Sequence, residues 1–256
     1  MVLTQLSVGS LLMTCVLPPR EIRLSFFSFN SLVAAIAAAV ALVLSKAVLG
    51  EGWSDVRFLG LTVIGATMAY GCFRLEKPDI GRLCLVVAGM LGLIFGLLPL
   101  AGKALAMRGW QVDRTLFFDA SVVAGALLLG ATTVGMILGH WYLIMRRLSF
   151  EHLQRFAQIV LGAAGLRVLL FVTTLGLLRT FEPQFAGGFI DNLWSPQGDL
   201  LFTLVRIVFG MALPLVLAVF TLRCVREKAN QAATGLLYVT EISVLFGELF
   251  AAYLMI

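Results

Sequence analysis

At 256 residues, 60% apolar and 13% charged, with a mean hydropathy of +0.99, the chain lies outside the range of water-soluble proteins. A bilayer core of about 30 Å takes about 20 apolar residues per helix, which leaves room for about eight or nine crossings and for no separate soluble domain. The net charge of +5 would suggest nucleic acid in a soluble protein, but the basic residues are spread among loops, so no nucleic-acid partner is expected.

Taken in order, eight apolar stretches stand out: residues 2–17, 28–49, 58–73, 83–101, 116–145, 153–178, 200–222 and 229–256. The first is apolar from Met1, and its arginines, Arg20 and Arg23, follow the apolar run instead of preceding it. That order reads as an uncleaved first span, not a signal peptide. The second is alanine-rich and suited to close helix packing. The fifth has glycines at 125, 130, 135 and 139 and ends in His140, Trp141 and Tyr142 before two arginines. The expectation is an all-α polytopic integral membrane protein: one transmembrane helical domain over residues 1–256, with eight transmembrane helices and no internal repeat.

Basic residues set the orientation. Loops after odd-numbered spans hold Arg20, Arg23, Arg74, Lys77, Arg82, Arg146, Arg147, Arg155, Arg223, Arg226 and Lys228, eleven in all. Loops after even-numbered spans hold six: Lys46, Arg57, Lys103, Arg108, Arg114 and Arg179. Positive loops stay in the cytoplasm, so both termini are expected outside, in a bacterial inner membrane. The longest outward loop, residues 179–199, mixes turn residues with Phe181, Phe185, Phe189 and Trp194. Rings so spaced suit the headgroup layer, or a lid or docking surface for an extracytoplasmic partner.

Ionisable side chains inside a bilayer cost about 2.5–3.5 kcal/mol each on insertion scales, so each needs a partner or a task. The candidates are Asp119, His140, Arg167, Arg206, Glu241 and Glu248. In the last span Thr234, Tyr238, Glu241 and Glu248 follow helical spacing and share a face. Matching depths along the helices pairs Arg167 with Glu241 and Arg206 with Glu248. Such pairs either clamp the last three spans together or line a proton path or polar pocket.

His140 lies about 9 Å from Arg146 along its helix, in the inner leaflet, where Trp141 and Tyr142 suit the aromatic belt. Thr133, Met136 and His140 share a face, and Gly135 and Gly139 allow another helix to approach closely. Three readings of His140 stay open: a structural hydrogen bond, a hydrogen bond to a quinone, and an axial ligand to haem b. Haem held by two histidines would need His152, placed by the sequence in the loop after the fifth span, or a ligand such as Met136 or one from a partner.

Signatures of soluble catalysis are absent: no Walker A motif, no Rossmann glycine fingerprint, no H-E-x-x-H and no G-x-S-x-G. Cys15, Cys72, Cys84 and Cys224 form no C-x-x-C pair and read as small apolar residues.

The closing segment TGLLYVTEISVLFGELFAAYLMI resembles the last helix of membrane anchor subunits of the DMSO-reductase and NrfD types. Those often end in a G-E-L-x-G-R-x-x-F-like run. Gly247, Glu248 and Leu249 match it, while Ala251 and Ala252 stand where the family has Gly-Arg. Eight spans with both termini outside is similar to the DMSO-reductase anchor topology. The resemblance implies an integral subunit that passes electrons or protons between quinone and peripheral redox subunits, with Glu248 as a polar group near a quinol site. The expected function is therefore a quinone-linked subunit of a respiratory or other energy-converting complex, surrounded by other subunits and lipid. A permease with a charged path through Arg167, Arg206, Glu241 and Glu248, or a purely structural membrane subunit, is the alternative.

Overall fold

In the computed structural model the described residues are 1–47, 53–100, 102, 115–144, 150–181, 194–195 and 200–254. Among them there is no strand. The helices are α1 (Val2–Thr14), α2 (Leu24–Ala47), α3 (Trp53–Arg74), α4 (Pro78–Leu91), α5 (Thr115–Ile144), α6 (Phe150–Phe181), α7 (Leu200–Ile207), α8 (Leu213–Arg226) and α9 (Asn230–Leu254). A π-helical turn, Gly92–Leu97, extends α4, and another, Val208–Ala212, joins α7 to α8.

Six of these rods are long and apolar enough to cross a membrane: Leu24–Ala47, Pro78–Leu100, Asp119–Ile144, Phe150–Gly176, Leu200–Arg226 and Asn230–Leu254. α1 and α3 lie where the sequence expects its first and third spans but are not among the six. At 13 residues α1 is about 20 Å long, short of the bilayer core. The outward loop expected at 179–199 falls mostly outside the described residues; of its rings, Trp194 is exposed.

The packing makes two four-helix rings. In the first, α1 touches α2, α2 touches α3, α3 touches α4, and α4 returns to α1. In the second, α5 touches α6, α6 touches α8, α8 touches α9, and α9 returns to α5. The rings meet where α1 crosses α5. There a Cβ on Gly9 would lie 1.9 Å from the carbonyl oxygen of Ala126, and a Cβ on Gly130 would lie 2.1 Å from the backbone of Gly9. Only paired small residues let two backbones approach so closely. α5 is consequently the hub: 83% of its most apolar window is buried, against 22% for α6.

The arrangement inverts that of a soluble bundle. On α9 the outer face carries Val239, Ile242, Phe246 and Leu249, all exposed, while Thr234, Glu241 and Glu248 are buried. Apolar residues face lipid, which solvates them as well as a core would, and polar residues turn inward to find partners. Tyr238, placed by periodicity on the glutamate face, is exposed instead. Several buried hydroxyls are satisfied within their own helices: Thr14 donates to Ser10, Ser31 to Phe27 and Thr221 to Leu217, each a bond to the carbonyl four residues back.

Both π turns have the same cause. Pro99 follows the first by two residues and Pro214 follows the second by two. A proline ring clashes with the carbonyl four residues before it, and widening the preceding turn relieves the clash. In π register Pro214 would bond the carbonyl of Phe209, but it has no N–H to give. Ser243 supplies the missing donor, with its hydroxyl 2.6 Å from that oxygen.

Candidate functional site

Two polar sites line the seam between α5 and α9. Seven-residue steps on α9 meet seven-residue steps in the opposite direction on α5. A Cβ on Gly139 would lie 2.9 Å from Thr234, Thr132 bonds Glu241, and a Cβ on Gly125 would lie 2.5 Å from Glu248. The seam thus places Thr234, Glu241 and Glu248 each against a glycine or a hydroxyl of α5, at intervals of about 10 Å.

The first site gathers Glu248, Arg167, Arg206, Gln5 and Ser121 where the starts of α1 and α5 and the last turn of α7 meet the second half of α6 and the end of α9. Glu248 is 2% exposed, and Oε1 lies 2.8 Å from Nη2 of Arg167. Its Oε2 accepts from Nε2 of Gln5 at 3.0 Å, and the same amide donates to the carbonyl of Val122 at 3.2 Å. Nη1 of Arg167 donates to the Ser121 hydroxyl at 2.7 Å and also to the Ser121 carbonyl. Gly125 is required here: any side chain would occupy the space of the Glu248 carboxylate. Gly210 and Gly247 bring the second π turn against α9 one residue before Glu248, where a Cβ on Gly247 would lie 2.1 Å from the Cα of Gly210.

Arg206 is the anomaly of this site. It is 1% exposed, and Nε, Nη1 and Nη2 all lack a hydrogen-bond partner among the described residues. Its guanidinium sits over the Phe171 ring, 5.1 Å from the centroid. Arg167 repels it and Glu248 attracts it, so two cations share one carboxylate. The Thr203 hydroxyl, three residues earlier on α7, and the amide oxygen of Gln5, which bonds Glu248 through its nitrogen, are also unpartnered. A cation–π contact is worth about 2 kcal/mol when desolvated, whereas burying an ion costs several kcal/mol even after relaxation. The ring does not offset that cost.

The second site is Glu241, 6% exposed. Its Oε2 lies 2.5 Å from the Thr132 hydroxyl and its Oε1 lies 2.8 Å from the Thr133 hydroxyl. Among the described residues it forms no ion pair.

The depth-matched pairs are therefore corrected: Arg167 meets Glu248, not Glu241, and Arg206 makes no ion pair with Glu248. The reason lies in where the helices begin. α6 starts at Phe150, five residues before Arg155, which puts Arg167 about 25 Å along its helix. Glu248 stands about 27 Å along α9 and Glu241 only about 17 Å.

The residues grouped around His140 are not gathered into one site. Thr133 turns to Glu241, Met136 is half-buried, and His140 is exposed. Trp141 packs edge-on against Phe26 with centroids 5.8 Å apart, and Tyr142 is buried beside Phe150. His152 is not in a loop but in the first turn of α6, 3% exposed, with Nε2 2.8 Å from a carboxylate oxygen of Glu21. Gly135 and Gly139 do admit a neighbouring helix, α9, through Leu237 and Thr234.

Gln5, Ser121, Thr132 and Phe171 carry no charge and no motif that marks them in the sequence, and Gly125 stands there only as one of four glycines. A signal existed for the glycine and Thr132, since Gly125, Thr132 and Gly139 repeat at the spacing of Thr234, Glu241 and Glu248. No protein-family model, curated protein or solved structure matches this chain.

Proposed function

We propose that the chain is an eight-span subunit of a redox or energy-converting complex in a bacterial inner membrane, with both termini outside, and that it binds a quinone head group at Arg206. The observation that carries this reading is the orphaned guanidinium beside the Arg167–Glu248 pair. A quinone carbonyl offers the acceptor those N–H groups lack, and its isoprenoid tail suits a site enclosed by membrane helices. When bound, a quinone takes up two electrons and two protons. Negative charge then builds on its oxygens, and fixed donors aimed at such an oxygen stabilise it most in a dry interior. Arg206 would hold the carbonyl, Arg167 would keep Glu248 in place, and Gln5 would fix the second carboxylate oxygen.

Electrons would pass to or from metal centres in partner subunits. For haem b on His140, Nε2 of His152 could not serve as the second ligand while it holds Glu21.

Quinol-dependent turnover of the complex in native membranes tests the assignment. Arg206→Gln should abolish most of it, whereas His140→Ala should leave it nearly unchanged. Loss with His140→Ala and retention with Arg206→Gln would move the site to the other end of α5. A second reading rests on the excess cation: Arg206 with Arg167 suits a small carboxylate or inorganic anion, as in a permease. Anion flux into liposomes holding this chain alone would favour that reading.

A further inference from the structure

The Glu241 site has a chemistry of its own, independent of whatever Arg206 binds. Glu241 lies mid-seam, in contact with two hydroxyls and no cation. The elements packed on α9 are α1, α5, α7, α8 and the second π turn. None brings a charge to its level. Arg206 on α7 and Arg167 on α6 stand with Glu248, two turns away. Arg223 and Arg226 lie in the last turn of α8, and the second π turn has no titratable residue. On α5, Asp119, His140 and Tyr142 are respectively 13, 8 and 10 residues from Thr132. α1 offers only Gln5 and the Met1 amino group, both at its start.

Counting hydrogens gives the decisive constraint. Thr133 Oγ1 is 2.7 Å from the carbonyl of Leu129 as well as 2.8 Å from Glu241. Thr132 Oγ1 is 3.0 Å from the carbonyls of Leu128 and Leu129 as well as 2.5 Å from Glu241. Each hydroxyl owns one hydrogen. With an ionised carboxylate both hydrogens must turn to Glu241, and each threonine oxygen then faces a backbone carbonyl without a hydrogen between them. One proton on the carboxyl removes half of that conflict: Glu241 donates to one threonine, which donates on to its carbonyl.

We propose that Glu241 is a proton-binding site. Its carboxyl carries a proton in the resting protein, and Thr132 and Thr133 adapt to either protonation state by turning their O–H bonds. No side chain has to leave the seam. Glu248, held by Arg167 and Gln5, is the ionised carboxylate of the pair.

Infrared spectroscopy of the purified full-length protein at neutral pH tests this through the carbonyl band of a neutral carboxylic acid, recognised by its shift in D₂O. The proposal expects one such buried band that disappears in Glu241→Gln and persists in Glu248→Gln. A band that survives Glu241→Gln, one lost in Glu248→Gln, or no band at all would overturn it. Should Glu241→Gln fail to accumulate, Thr133→Val keeps the carboxyl and removes one partner. The band must then move, and an unmoved band overturns the assignment. Because quinone content does not enter, failure of the Arg206 reading would leave this result standing.

Discussion

Arg167 and Arg206 sit at one end of the bundle, 3% and 1% exposed, yet they are treated in opposite ways. Arg167 has a carboxylate, a hydroxyl and a carbonyl arranged around it by two other helices, α9 and α5. Arg206, one side chain away, has an aromatic face and no acceptor among the described residues. A satisfied buried charge reads as architecture. An unsatisfied one, kept in the same low-dielectric setting, reads as a place where something else completes the bonding.

The sharpest way to break this contrast is to truncate each arginine in turn. Arg167→Leu takes from Glu248 its one ion-pair partner among the described residues, and should lower stability by about 3–5 kcal/mol in thermal unfolding of the detergent-solubilised protein. Arg206→Leu should act in the opposite direction. Removing an unpaired charge should stabilise the ligand-free protein, by about 1–4 kcal/mol if it follows buried ion pairs replaced by apolar side chains. Equal destabilisation by both would mean that Arg206 is structural after all.

A smaller effect is expected at the glycine that seats Glu248. Gly125→Ala should cost about 1–3 kcal/mol, because its methyl group meets the carboxylate at 2.5 Å. Gly235→Ala is the matched control on α9: with nothing within 4 Å it should be neutral or stabilise by up to about 1 kcal/mol. The smallest effect concerns the second π turn. Ser243→Ala should cost about 1 kcal/mol by removing the donor to Phe209, and less when Pro214→Ala restores a backbone N–H.

Much of this was legible in the chain. Apolar length locates the six long rods, because a bilayer demands it, whereas α1 and α3 fall at expected spans without meeting that demand. The face of α9 carrying Thr234, Glu241 and Glu248 follows from spacing, and the structure buries all three. The partner of each was not legible, since depth along a helix depends on where it starts, and α6 starts before its first arginine. Gln5 escaped attention because it bears no charge, although a buried amide also requires partners. His140 was placed correctly on its helix, but periodicity says which residues share a face, not which face a neighbour covers. The two prolines, by contrast, mark both π turns in plain sight.

The quinone content of the gently solubilised native complex tests the central claim most directly. Solvent extraction should recover bound quinone from the wild-type complex, and Arg206→Gln should lose it while remaining folded around an intact Arg167–Glu248 pair. Quinone retained in Arg206→Gln, or none in the wild type, would contradict the account.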